Sequence, residues 1–266
     1  MSNFTIDPYR FAVGGADACG AANQISCSQK AWVFDGSDDS LSIADIDDFS
    51  FDAVNSGTDK NLAHSVAMWI KRDSVTANEA VYAKGSATNN LEYRIFFLND
   101  DLYCDTYNNS TGAYSRRNWY NIGISNGTWF HLALGSGTEL SEWDCWVNGS
   151  QLGAGSSGSN AGDMQNTTGD FMIGDMPQSG NWHLDGKLTQ FIMWRDHKLT
   201  QTEVDHIYQG GNHLINPLID CTDYLIGSKV LLWIKDGSAG GDSSTHNHTV
   251  VENGSITHDS AGDTPC

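Results

Sequence analysis

The sequence predicts an all-β fold, an antiparallel β-sandwich or jelly roll with one short helix. Three observations carry that expectation. Short segments of alternating apolar and polar residues recur from Ala31 to Trp194. Turn chemistry separates them, with 28 glycines against 4 prolines in 266 residues. A single segment has helical periodicity with its own start and stop signals. The 9 tryptophans and an aromatic content of 11 % supply the bulk that a sandwich interior needs.

The first element is AWVFDGSDDSLSI, Ala31 to Ile43. A strand-like run meets an Asp-Gly-Ser turn, and Leu41 and Ile43 then alternate with Ser40 and Ser42. Two short strands joined in this way make a hairpin or a sheet corner. HSVAMWI next places Val66, Met68 and Ile70 on one face, and EYRIFF does the same with Tyr93, Ile95 and Phe97. WFHLAL, WDCWV, DFMI and FIMW continue the series. The helix is LTQTEVDHIYQGG, where Thr200 as N-cap and Glu203 three residues on form a capping box. Val204, Ile207 and Tyr208 give it an apolar stripe, and Gly210 and Gly211 stop it. Residues 1–30 are small, polar and without periodicity, which predicts an N-terminal arm outside the core.

Charge and cysteines narrow the function. The 14 basic and 33 acidic residues give a net charge of −19, a field that repels phosphate backbones and argues against nucleic-acid partners. No apolar run approaches the roughly 20 residues of a membrane span. The opening MSNFTIDPYRFAV has no basic segment followed by an apolar core, so synthesis in a cytoplasm is expected. The six cysteines lack any C-x-x-C pair, against a zinc ribbon or thioredoxin-type site. Cys145 in WDCWV reads as a small buried hydrophobe, while Cys19 with Cys27 and Cys221 with Cys266 are the candidate pairings.

Taken in order, these pieces resemble the laminin G-like domains of the concanavalin A-like lectin and glucanase superfamily. AWVFDGSDDSLSI is similar to that family's opening strand pair, SVAMWIKRDS to its Trp-Ile-Lys strand, and WFHLAL to its Trp-x-His strand. DCWVNGSQLG and the block from DFMIGDM to IYQGG are similar to its closing strands and helix. The resemblance spans residues 31–211 and implies a jelly roll of two antiparallel sheets with a curved concave face. Residues 212–266 form a C-terminal extension, expected to pack on the sandwich or on a neighbour. Its SKVLLWIKDGSAGGDSS stretch resembles extensions in virion-associated proteins of tailed phages.

Glucanases of the superfamily carry alternating carboxylates, and retaining hydrolysis needs two of them about 5 Å apart. ELSEWDCW offers Glu139, Glu142 and Asp144, but Glu139 falls out of phase with the other two, so the expectation is a protein that is not an enzyme. The resemblance also implies a structural calcium ion, for which Asp35, Asp38 and Asp39 are candidates. Against it, GKLTQF puts Thr189 and Gln190 where the family usually has acids, and Asp is a turn former in its own right. No other cofactor is implied. His246 and His248, with His258, Asp259, Asp263 and Cys266 downstream, are metal candidates because alternating histidines share one strand face.

The best surface candidate is DTYNNSTGAYSRRNWYN, Asp105 to Asn121, read as a loop. It holds Tyr107, Tyr114, Trp119 and Tyr120 beside Arg116 and Arg117, types that stack on sugar rings and dominate protein interfaces. A strand and the core compete for Trp119 and Tyr120, and Trp182 is equally open between surface and interior. The function expected from all this is a virion structural protein of a bacteriophage, either capsid decoration or exterior appendage. It would be a homo-oligomer on the virion exterior, contacting major capsid or tail proteins. The alternative is a lectin-like carbohydrate-binding module that recognises host surface polysaccharide.

Overall fold

The computed structural model describes residues 24–25, 30–52, 61–87, 90–138, 142–158, 164–176, 182–208, 214–215, 217, 227–235, 241–259 and 265. In chain order the elements are β1 (Gln24–Ile25), β2 (Trp32–Asp35), β3 (Ser40–Ile43), β4 (His64–Arg72), β5 (Asn78–Ala87) and β6 (Asn90–Leu98). There follow β7 (Asp101–Asn108), β8 (Ala113–Trp119), β9 (Trp129–Ser136), β10 (Trp143–Val147), β11 (Ser150–Gln151) and β12 (Ser156–Ser157). The last group is β13 (Phe171–Ile173), β14 (Asp185–Arg195), the helix α1 (Gln201–Tyr208), β15 (Leu214–Ile215), β16 (Val230–Ile234), β17 (Val251–Asn253) and β18 (Thr257–His258).

Two antiparallel sheets result. The first runs β11-β10-β9-β4-β14-β2-β18, with β16 also on β14; the second runs β12-β8-β7-β6-β5-β13-β3-β17. Alternation along the strands fills the space between them. Val66, Met68 and Ile70 of β4 meet Tyr93, Ile95 and Phe97 of β6, joined by Leu102, Cys104, Phe130, Leu132, Phe191 and Met193. The opening segment proves to be a corner, since β2 and β3 lie in different sheets and Phe34 and Leu41 enter one core. Cys104 and Cys145 are buried free thiols; the other four cysteines lie outside the described residues.

The outer face of the first sheet is covered by α1. Ala67, Ala133, Trp146, Ile192 and Trp194 of the sheet form a second cluster with Val204 and Ile207 of the helix. The capping box forms: the Thr200 amide donates to Glu203 Oε2 at 2.7 Å and the Glu203 amide to Thr200 Oγ at 3.3 Å. Its expected Gly210 and Gly211 stop lies outside the described residues. No described helix is long and apolar enough to cross a membrane.

Residues after 211 add to the sandwich itself. β16 pairs with β14, β18 with β2 and β17 with β3, so both sheets receive strands from this segment. β2 and β16 lie along one side of β14, on its first and second halves, while β4 follows the other side. A bulge between Thr189 and Ile192 divides the halves, with Gln190 at φ 50°. There the Thr189 hydroxyl reaches the carbonyls of Lys30 (3.2 Å) and Lys235 (3.4 Å).

Two histidines are sealed in. His64 stacks on Phe51 at 4.1 Å and meets the edge of Trp143, and His131 contacts Trp69 and Tyr208. Burial, chiefly, holds each down at about 3. An unfolded chain takes up both protons as pH falls below about 6.5, whereas the folded chain does not until about 3. Each histidine therefore takes about 1.4 kcal/mol per pH unit from stability as pH falls through that window, while Glu79, held up at about 7 chiefly by burial, acts in the opposite direction. Urea midpoints of the parent and of His64→Phe, measured from pH 7 to pH 4, isolate the effect: the two slopes should differ by one proton. An unchanged slope would rule out a neutral, buried His64.

Candidate functional site

The segment read as a loop from Asp105 to Asn121 is mostly a β-hairpin, β7 and β8, around a tight turn at residues 109–112. Asn108 Oδ1 accepts from Ser110 Oγ and the Thr111 amide to close that turn, and Gly112 takes φ 65°. Cross-strand pairing then sorts the candidates. Tyr107 opposes Tyr114 and Asp105 opposes Arg116 on the outer face, whereas Arg117 opposes Cys104 and Trp119 opposes Leu102 on the inner one.

On the outer face, Asp105 is fully buried between two guanidinium groups. Arg116 reaches it at 2.6 and 2.7 Å, and Arg94 of β6 at 2.9 Å. These cations lie over rings: Arg116 over Tyr103 and Tyr114, Arg94 over Phe96 and Tyr107. The hydrogen bond to Asp105 raises the Arg116 pKa, and burial raises that of the Tyr107 hydroxyl. Phe96 and Tyr103 stack at 5.2 Å, and Trp182 leans on Phe96 at 5.2 Å with Ala80, Ala83 and Met176 behind it. The structure thus brings Tyr107, Tyr114, Arg116 and Trp182 into one platform and leaves Arg117 and Trp119 out. Phe96, Tyr103 and Tyr107 are nearly closed to solvent, with their ring faces covered.

At the edge of the same sheet lies an open groove of about 310 Å3, lined by residues 118–122 and 152–156. Trp119 is only 5 % exposed and its indole donates to the Gly153 carbonyl at 2.9 Å, while the adjacent Tyr120 is 58 % exposed. β12 pairs with β8 here, Ser156 facing Asn118. A Cβ on Gly155 would stand 2.6 Å from the Asn118 carbonyl oxygen and 2.9 Å from the Trp119 ring, so the chain passes there only as glycine. Asn121 is left-handed, with its amide held by Asp101 at 2.8 Å. Asn118 is 5 % exposed, and its side-chain Nδ2 has no hydrogen-bond partner among the described residues. An aromatic face, side-chain amides and a glycine-rich wall together can hold a polar ring with an apolar underside. Sequence reasoning noted Tyr120 but missed Asn118, Asn121 and the 152–156 wall, which no local pattern marks.

Other sequence candidates assemble differently. The carboxylate oxygens of Asp35, Asp38 and Asp39 come within 4.8 Å of one another. Asp39 uses both oxygens on backbone amides, of Asp35 (3.0 Å) and Ser255 (2.7 Å), and Asp35 accepts from the Ser37 amide. What these residues do in the structure is cap the corner turn and the β17–β18 turn. Thr189 and Gln190 are buried in the bulge, so the family's acidic positions have no counterpart there. The three carboxylates supply hard oxygen donors of the kind calcium takes, and both oxygens of Asp39 already accept backbone amides. Asp144 is paired with Lys198 at 2.9 Å, and Glu139 lies outside the described residues. His246 and His248 are not on a strand, and they meet Asp48 in place of the expected downstream residues. His258 turns to Glu252 and Asp259 to Lys187, while Asp263 and Cys266 lie outside the described residues.

Replacing Asp105 by Asn would leave Arg94 and Arg116 facing a neutral amide. The expected cost is about 3 kcal/mol, at the low end for a broken buried pair because both arginines keep some water. Urea unfolding of Asp105→Asn beside the parent chain measures it, and a loss below about 1 kcal/mol would show the network to be dispensable.

Residues 35–205 match the family described as the concanavalin A-like lectin/glucanases superfamily, through its laminin G model. Among solved structures, the chain is similar to a candidate carbohydrate-binding protein from Bacteroides ovatus, with a TM-score of 0.59 and 16 % identity. The match covers 89 % of this chain and 61 % of that one, so the chain spans less than two thirds of its length. It is also similar to the heptameric SAP-like pentraxin of Limulus polyphemus, with a TM-score of 0.53, 13 % identity, and 89 % and 97 % of the two chains covered. At such identities the likeness is one of fold. No curated protein matches the chain by sequence. The family match runs from the corner turn into α1, through both sheets, and on that ground the chain belongs to the laminin G-like domains of the concanavalin A-like lectin/glucanases superfamily.

Proposed function

We propose that this chain is a lectin-like binding module that holds carbohydrate in the groove between residues 118–122 and 152–156. The observation that carries the reading is the exposed ring of Tyr120 beside the exposed side-chain amide of Asn121, both lining the groove. A pyranose offers an apolar C–H face to such a ring and hydroxyl acceptors to such a donor. The family's lectin membership and the described nature of the Bacteroides ovatus relative favour the same class of ligand. A binding role rather than hydrolysis also fits the engagement of Asp144 with Lys198.

A second reading places the module on the exterior of a phage virion, made in the host cytoplasm and assembled with capsid or tail proteins and with further copies of itself. The residues that favour it are those of the extension that resemble virion-associated proteins, together with the net charge of −19. The two readings are compatible, since a glycan-binding module can stand on a particle. Quantifying the chain against the major capsid protein in purified particles tests the second reading; its absence from particles would end it.

Binding to an array of bacterial surface polysaccharides, followed by calorimetry, tests the first. Tyr120→Ala and Asn121→Gly should each weaken a bound glycan by about tenfold, in line with the loss of one ring contact or one hydrogen bond; glycine keeps the left-handed backbone at 121. Tyr120→Ala should leave the melting temperature nearly unchanged, because that ring is already in water. Glycan binding that is indifferent to both substitutions would overturn the groove as the site.

A further inference from the structure

We propose that Asp48, His246 and His248 form a binding site for one divalent transition-metal ion of the zinc class. The three side chains come from distant parts of the chain: Asp48 from the single turn of 3-10 helix at Asp47–Phe49, and the histidines from the segment that precedes β17. Nε2 of His248 lies 3.3 Å from Asp48 Oδ2, and Nδ1 of His246 lies 3.6 Å from the same oxygen. All three ligand atoms fall within 4.8 Å of one another. With bonds of 2.0–2.1 Å, the edges of a tetrahedral zinc site measure roughly 3.3–3.4 Å, so little movement is needed to seat the ion.

The ligands are held in place before any ion arrives. Nδ1 of His248 donates to Asp242 at 2.8 Å, and its ring packs on Phe49 at 4.9 Å. Nε2 faces Asp48 Oδ2 at 3.3 Å, where an ion that displaces the ring proton would take the nitrogen's lone pair, while Asp242 holds Nδ1 in the carboxylate–histidine arrangement that orients metal-bound imidazoles. Asp242 is itself fixed by the amides of Trp233, Ser244 and His248 and by the Ser244 hydroxyl. Asn247, left-handed at φ 53°, brings the two imidazoles parallel at 5.4 Å. The carbonyls of Asp47 and Asp48 both accept from Arg195, which steadies the turn carrying the carboxylate.

Two imidazole nitrogens and one carboxylate suit a borderline cation and suit calcium poorly. His246 and Asp48 keep solvent contact, and a cleft of about 330 Å3 lined by residues 43–46 and 246–249 adjoins the histidines. A fourth coordination position can therefore be filled by water. Bound there, the ion ties the turn after β3 to the segment that leads into β17.

The test uses the full chain, stripped with a chelator and titrated calorimetrically with zinc chloride, alongside His246→Ala and Asp48→Asn. Neither substitution disturbs the Phe49 and Asp242 contacts that His248 makes in the fold. One zinc per chain is expected, with about tenfold or greater loss of affinity in each variant and a zinc-dependent rise in melting temperature confined to the parent. Cobalt(II) should give a low-coordinate visible spectrum that the variants lack, and calcium at equal concentration should not compete. Zinc bound equally by parent and both variants, or not bound by the parent, overturns the proposal.

Discussion

Strand β14 is the constraint to which the rest of the molecule is fitted. Its eleven residues, Asp185–Arg195, pair with β4 along one side and with β2 and then β16 along the other. Two strands can share one side end to end only if the ladder is interrupted between them. The bulge at Thr189–Gln190 provides that interruption, and the Thr189 hydroxyl joins the backbones on both sides of the break. A carboxylate at position 189 would face two carbonyl oxygens. Thr189 thus touches both segments that share this side of β14.

The two outer faces of the sandwich meet their polar surroundings in different ways. The first sheet is sealed by α1, whose Val204 and Ile207 sit over small residues such as Ala67 and Ala133. The second is closed by charge and π-systems, with Asp105 as the common acceptor of two arginines that lie over four rings. A similar economy operates within the sandwich end. Lys84 is fully buried against Glu92 (2.8 Å) and Asp45 (2.7 Å), and it also reaches the Thr167 and Gly169 carbonyls. Burial raises the pKa of Glu92, with Lys84 opposing the shift. Lys84 is tolerable because its ammonium is met on every side, whereas Glu92 gathers its partners on Oε1 and leaves Oε2 without one among the described residues.

Much of the fold was legible in the sequence because it rests on local periodicity. The triplets Val66/Met68/Ile70 and Tyr93/Ile95/Phe97 entered the core as alternation requires, and Thr200 and Glu203 formed their box. What escaped was set by partners far along the chain. Asp39 is read locally as a turn residue, yet one of its oxygens serves Ser255. Trp119 and Tyr120 are adjacent and chemically alike, but pairing with β7 turns the first inward and the end of the strand leaves the second in water. The alternation of Tyr103, Asp105 and Tyr107 signalled a strand where a loop was expected. Asn118 gained its groove from residues 152–156, and His248 its carboxylates from Asp48 and Asp242, and no spacing rule announces such meetings.

The placement of β16, β17 and β18 has a consequence for how the molecule is made. Each of these strands bonds to one laid down much earlier, as Val251 does to Ser42 and Thr257 to Val33. While residues 230–258 are still in the ribosome exit tunnel, the nascent domain has a vacant half-edge along β14 and open flanks at β2 and β3. Those flanks are templates for any extended chain, including a neighbouring copy's own C-terminal segment. The interval between synthesis of β14 and emergence of β18 is thus the period of greatest exposure to strand exchange. Pairings of such long sequence separation slow the closure of a sandwich, because loop entropy is lost before the contact forms.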